Sequence, residues 1–478
     1  MVDLSSLAAA FPPATAADWR ALVVKTLRDA PFESLTRTTA DGLVIAPLYT
    51  AEDTPAPLAF APRPFDAERP WDIRVAVAHP DPARANADAL RDLEGGAASV
   101  ILRLDPTGRT GIAAGSADDV ARALAGLFVE LAPVGLDAGF LGPKAADWLG
   151  AAAKSSPTAL LQFHLDPLSA FAEAGASPGP IESHLVSAAT VGARLAETYP
   201  LAQLFLASGR VVHEAGGGEA AEVAFAAAAA VAYAKALVRA GLSVEDAFAR
   251  ITLGLAADTD YFLTIAKLRA ARAIWARITA ASGAATLARI EARSSHRMLA
   301  RQDAWTNMLR LTSAAFGAAV GGADAVILGN FSDAHGLATA FARRQSRNTQ
   351  LVLMEEAHIG RVADPAAGAG YVEALTDQIA RAAWAGFQVI EAQGGLVAAL
   401  SAGHIAAQVD KVCVARAEAG RPKIVGVTAF PPAEEAPVEV ETPQPRAVEA
   451  PSPRLPGPDG ACPPLAPLRL AEPYEAAQ

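Results

Sequence analysis

The stretch WDIRVAVAHPDPARANADALRDLEGGAASVILRL, residues 71–104, decides the fold. Its first eight residues, W-D-I-R-V-A-V-A, read as a strand. Residues 82–94 read as a helix, and A-S-V-I-L-R-L (98–104) reads as the next strand. The pattern then repeats. A helix is expected from Ser116, with Ser116 as N-cap and Asp118 and Asp119 in the first turn, where the helix dipole favours negative charge. P-V-G-L-D-A-G (133–139) is a third strand, followed by a helix around Lys144–Lys154. A-L-L-Q-F-H-L (159–165) precedes a helix at Ile181–Thr198. L-A-Q-L-F-L (201–206), T-L-A-R-I-E-A-R (286–293) and A-D-A-V-I-L-G-N (323–330) complete seven units. An eighth is expected among the helices between 218 and 282. Repeated strand–helix units imply parallel strands with right-handed crossovers. The expected class is therefore α/β, a (β/α)8 TIM barrel, with an open doubly wound sheet as the alternative.

The flanks differ in composition. Residues 1–40 read as an N-terminal helical arm, with a helix over Asp18–Ala30 bracketed by Pro12, Pro13 and Pro31. Residues 41–428 read as the barrel, reached through an extended connection (41–70) and ending in a helical extension (385–428). Residues 429–478 are acidic and rich in proline from Pro431 onward, and are expected to be a disordered tail.

The chain has 478 residues, 52% hydrophobic and 19% charged, with net charge −11. The core is large and the negative balance argues against a nucleic-acid surface. Cys413 and Cys462 alone supply thiols, which excludes a disulfide framework and makes the cytoplasm the expected compartment. The N-terminus lacks a secretory signal pattern. The apolar run Ala220–Leu237, interrupted by Glu222, reads as a buried helix rather than a membrane span.

In a barrel, chemistry sits at the C-terminal strand ends. The polar candidates there are Arg74, His79, Arg103, His164, Asp166, His213 and Glu214, with Glu355 and Glu356 further on. His164 and His213 are the candidate general acid or base. No metal spacing or nucleophile motif accompanies them, so each also reads as a loop residue satisfied by backbone. The G-G-G at 216–218 and G-A-G at 368–370 read as turns.

Several stretches together carry a resemblance. They are P-L-Y-T-A-E-D (47–53), W-D-I-R (71–74), E-A-G-G-G-E-A-A-E-V-A (214–224) and D-Y-F-L-T-I-A-K-L-R-A-A-R (260–272). R-Q-D-A-W-T-N-M-L-R (301–310), R-N-T-Q-L-V-L-M-E-E (347–356) and V-A-D-P-A-A-G-A-G-Y-V-E-A-L-T (362–376) extend the set. In order and spacing they resemble the acyl-CoA-binding barrel of the methylmalonyl-CoA mutase family. The resemblance implies a barrel that threads a CoA chain along its axis. It also implies adenosylcobalamin chemistry that rearranges the carbon skeleton, with the cofactor on a separate C-terminal domain.

Departures from the family pattern shape the functional expectation. Ala76 stands where the family has a Tyr facing the corrin, and Val211 where it has its catalytic His. His164 stands at the position of a substrate-contacting Gln, and Ala174 at that of a carboxylate-binding Arg. The D-A-H-G-L-A stretch at 333–338 is one residue short of the cobalamin motif Asp-x-His-x-x-Gly, because Ala338 replaces the last glycine. His335 therefore reads as a barrel loop residue, and the cobalamin-binding domain is expected to be absent. The pattern resembles the small subunit of heterodimeric mutases: no catalytic residues, a residual pocket of Arg74, His164, His213, Glu214 and Glu356, no metal and no cofactor of its own. The resemblance implies a large catalytic subunit as partner, carrying adenosylcobalamin, with no nucleic acid and no membrane. A residual CoA ester site remains open. Two rivals are an active acyl-CoA mutase barrel that uses a separate cobalamin protein, and a cobalamin-independent barrel acting through His164 or His213.

Overall fold

Eight strands close a parallel barrel in chain order: β1 (Asp72–Val77), β2 (Ser99–Arg103), β3 (Val134–Asp137), β4 (Leu161–Leu165), β5 (Gln203–Ser208), β6 (Ile251–Ala257), β7 (Ile290–Ser294) and β8 (Ala325–Ile327). The last strand pairs with the first, Ala325 opposite Asp72 and Ile327 opposite Arg74, so the open-sheet alternative is excluded. The computed structural model describes residues 14–64, 66 and 68–475.

The helices named here are α1 (Ala16–Leu27), α2 (Pro82–Glu94), α3 (Ala117–Ala123), α4 (Gly142–Ala152), α5 (Pro167–Ala174), α6 (Ile181–Thr198), α7 (Arg210–Glu214), α8 (Glu219–Arg239), α9 (Tyr261–Ala281), α10 (Asn307–Val320), α11 (Ala340–Leu351), α12 (Gly370–Ala392) and α13 (His404–Glu418). The expected cap is present: the Ser116 hydroxyl accepts from the Asp119 N–H. The eighth unit is β6, I-T-L-G-L-A-A, buried throughout. Its Gly254 lies where a side chain would crowd Ser208 on β5.

From residue 223 to 234 α8 is apolar all round because both sides are covered, by β5 and β6 within and α12 without. By length and composition it could cross a membrane, yet most of it is buried inside the protein. Ion pairs lock the outer ring. Asp92 on α2 takes Arg347 (2.7 Å) and Arg343 from α11, tying the helix that follows β1 to the helix that follows β8. Arg269 on α9 takes Glu373 on α12 (2.8 Å), and Arg272 takes Asp324 ahead of β8 (2.8 Å).

The Pro-rich segment corrects the expectation of disorder. Over its described residues it circles the C-terminal rim of the barrel. Val440–Glu441 pairs antiparallel with Leu337–Ala338 beyond β8, and Gly460–Ala461 with Ala176–Ser177 beyond α5. Between and after these bridges, Val448 N donates to Pro106 O, Leu455 N to Pro178 O, Cys462 N to Gly175 O, Leu465 N to Ala172 O, Leu468 N to Glu214 O and Leu470 N to Arg297 O. Composition measures what a segment can bury by itself. Here the barrel loops supply the partners, and prolines already hold the chain extended, so ordering it costs less entropy.

α1 has no buried residue; Leu22 is 63% and Val24 46% exposed. A capping box of Thr15 and Asp18 starts it, and Trp19 packs edge-on against Phe32. The first thirteen residues of the arm lie outside the described residues.

The rim contacts have a testable consequence. Amide hydrogen exchange is expected to show Val448, Leu455, Cys462 and Leu465 protected, with complete exchange at the earliest time point as the contrary result. Gly115→Ala places a methyl against the carbonyl of Glu449, so proteolysis near Arg446–Arg454 is expected to accelerate.

Candidate functional site

Residues two apart on a strand share one face. On β1 the inward positions are Asp72, Arg74 and Ala76. Arg74 Nη1 donates to Glu291 Oε2 on β7 (2.8 Å) and to Gln162 Oε1 on β4, while Nε donates to Ser99 Oγ on β2 (2.9 Å). Nη2 pairs with Asp72. β4 and β7 stand on opposite sides of β1 in the ring, so the guanidinium that reaches both lies across the barrel axis. It is 5% exposed and Glu291 is 1% exposed. Against the effect of burial, Asp72 and Glu291 raise the Arg74 pKa, and His164, Arg74 and Arg293 lower that of Glu291 to about 2.

His164 lies just above. It sits at the register shift between β4 and β5 and adopts φ +44°, a left-handed backbone that strains a residue with a Cβ. The ring is buried, and neither nitrogen has a partner among the described residues. Burial lowers its pKa to about 4, with Glu291 opposing and Arg74 and Arg293 adding to the fall, so the ring is neutral near pH 7. Higher still, the barrel opens: Ala76 is exposed, and the inward-facing Asp137 is 41% exposed.

His213 is not at the mouth. α7 turns it into a sealed cluster with Glu219 and Glu222 of α8, Asp258, Lys267 of α9 and Arg297. Nδ1 lies 3.2 Å from Glu222 and Nε2 3.0 Å from Asp258. Lys267 Nζ pairs with Glu222 (2.7 Å) and Glu219, and Arg297 with Asp258 (2.8 Å). Three carboxylates face two permanent cations, so a protonated His213 makes the cluster neutral. Burial, Arg297 and Lys267 depress its pKa, but Glu222 and Asp258 outweigh them and leave it raised. His213, Glu219 and Glu222 offer ligand atoms within 4.8 Å of one another. The Lys267 ammonium already rests on both carboxylates, so the chain supplies its own cation there.

The remaining candidates are dispersed. Glu214 accepts from the backbone amides of His296 (3.1 Å) and Arg297 (3.0 Å). Asp166 caps α5 and accepts from the buried Tyr233 hydroxyl (2.5 Å); burial pushes its pKa up to about 7. His79 Nδ1 accepts from Asp81 N. Glu355 and Glu356 are exposed beyond α11, where Glu355 lines a surface hollow with Pro70 at the N-terminal end of the barrel. Of the proposed residual pocket, the structure brings together Arg74 and His164 only. Val211 is buried in α7, and Ala174 is exposed at the end of α5.

The histidine stretch at 333–338 is built into the barrel rim rather than presented to a ligand. His335 Nε2 contacts Arg301 O at 2.8 Å, and Ala338, where the motif needs glycine, is buried and bridged to Val440. Sequence reading missed Gln162, Asp137, Glu291, Arg293 and the Lys267 cluster. Polar residues two apart within strands (Asp72/Arg74, Gln162/His164, Glu291/Arg293) were the available signal.

The methylmalonyl-CoA mutase family profile matches residues 61–453. The chain is 41% identical to the methylmalonyl-CoA mutase small subunit of Streptomyces virginiae, over 95% of this chain and 76% of that one. It is 35% identical to the small subunit of Propionibacterium freudenreichii subsp. shermanii, over 89% and 70%. A protein named methylmalonyl-CoA mutase in Rhizobium meliloti is 29% identical, over 89% and 65%. The chain belongs to the methylmalonyl-CoA mutase family, and the more similar of these relatives are small subunits.

A raised folded pKa means that His213 stabilises the fold fully below its unfolded value near 6.5, and that this contribution is lost as pH rises through the folded value. His213→Gln is expected to cost about 3–5 kcal/mol in urea unfolding at about pH 6, the deficit narrowing by about pH 9. A deficit that is constant across this range contradicts the imidazolium assignment.

Proposed function

We propose that this member of the methylmalonyl-CoA mutase family is the catalytically degenerate small subunit of the adenosylcobalamin-dependent enzyme that converts (R)-methylmalonyl-CoA to succinyl-CoA. It stabilises a large catalytic subunit, which carries the cofactor, and works in the cytosol. The observation that carries the reading is Arg74. Its guanidinium bridges β1 to β4 and β7 across the axis, the line a threaded CoA chain would need. Ala76 and Val211, where the family resemblance places a corrin-facing Tyr and a catalytic His, support the same reading.

Support for a partner comes from surface left apolar. α1 exposes Leu22 and Val24, and Phe128 (72%) and Leu131 (79%) are exposed on the loop after α3. Permanent heterodimers bury such groups.

Co-expression with an untagged mutase-type large subunit tests the reading. The expected result is one-to-one co-purification, turnover by the complex and none by this chain. Removing residues 1–40 is expected to weaken association by at least about tenfold, about 1.4 kcal/mol. Turnover by this chain alone, or with a stand-alone cobalamin protein, overturns the assignment.

A further inference from the structure

Above the Arg74 bridge, the mouth gathers three arginines around one carboxylate. Arg103 ends β2 opposite Asp137 on β3. Arg293 on β7 donates from Nη1 to Asp137 Oδ2 (3.1 Å), and its Nε is buried without a partner. Arg210 opens α7. Its guanidinium makes no hydrogen bond or ion pair among the described residues, and its Nε is buried.

The nearby acids are already engaged. Glu291 serves Arg74, and Glu214 holds the amides of His296 and Arg297. Asp137 is the acid that Arg293, Arg103 and Arg210 share, and against desolvation in the mouth they bring its pKa down; Glu291 adds only a longer pair to Arg293 (3.8 Å). His164, 6% exposed with both ring nitrogens unpartnered among the described residues, lies near Arg293 and Asp137 of this group. As a neutral ring it offers one N–H without adding charge. Buried N–H groups without acceptors are costly, and a planar, forked donor is matched by an oxyanion.

We propose that the C-terminal mouth of the barrel binds a small oxyanion, a carboxylate or a phosphate, between Arg210, Arg293 and Arg103, with His164 as a neutral donor. Space exists for it over Ala76, which faces inward and is exposed. The site is built from this chain's own residues and holds whether or not the barrel is catalytic or partnered.

The test uses the full chain. Inorganic phosphate and succinate are titrated separately at ionic strength held constant with chloride, followed by calorimetry and thermal unfolding. Saturable binding of one ion per chain, with a raised midpoint, is expected for at least one of them. Saturation by phosphate alone identifies a phosphate site, and by succinate alone a carboxylate site. Arg210→Gln is expected to weaken binding at least about tenfold without lowering the stability of the ligand-free chain, because Arg210 makes no hydrogen bond or ion pair among the described residues. Arg381→Gln, on the exposed face of α12, is expected to change nothing. No saturable binding by either ion, or full binding by Arg210→Gln, overturns the proposal.

Discussion

A buried guanidinium on the barrel axis organises this molecule. Arg74 is held by Asp72, Ser99, Gln162 and Glu291, which come from four strands. A charge taken out of water at that depth is tolerable only when every donor finds an acceptor, and removing one partner typically costs about 3–5 kcal/mol. The network therefore sets the identities of inward residues on β1, β2, β4 and β7 at once. It also decides what the interior can hold. Its lower half is filled with paired charge, while its upper half, from Ala76 outward, reaches solvent.

The family motifs take their meaning from the same economy of charge. In the stretch 260–272, Lys267 neutralises Glu219 and Glu222, Arg269 joins Glu373, and Arg272 joins Asp324. Asn307, in the stretch 301–310, bonds the backbone of Ala300 and Phe331. Arg347 takes Asp92, and Gln350 accepts from Trp71 Nε1. These residues pin one element to another. None of them faces the mouth. A chain can thus keep the family's framework motifs whatever residues stand at the mouth.

Much of the barrel was legible in the sequence, because strand and helix periods alternate cleanly from Trp71. The helix at Pro82–Glu94 and the cap at Ser116 follow from local chemistry. β6 was harder: it is seven residues long, contains Thr252 and Gly254, and lies between long apolar helices. The site was read less well. His213 and Glu214 stand where a barrel displays its chemistry, yet α7 turns one inward and gives the other to backbone amides. Their neighbours Asp258, Lys267 and Arg297 are distant in sequence, so no spacing announces them. The rim-bound tail was missed because its hydrogen-bond partners belong to the barrel loops.

The central claim, that Arg74 and its partners close the axis to a pantetheine chain, is tested most directly by equilibrium dialysis of the isolated chain against labelled methylmalonyl-CoA, with free phosphate in excess to occupy the mouth. The expected result is no saturable binding up to ~1 mM, the upper end of ordinary substrate affinities. Binding of one CoA ester per chain in the micromolar range would contradict it.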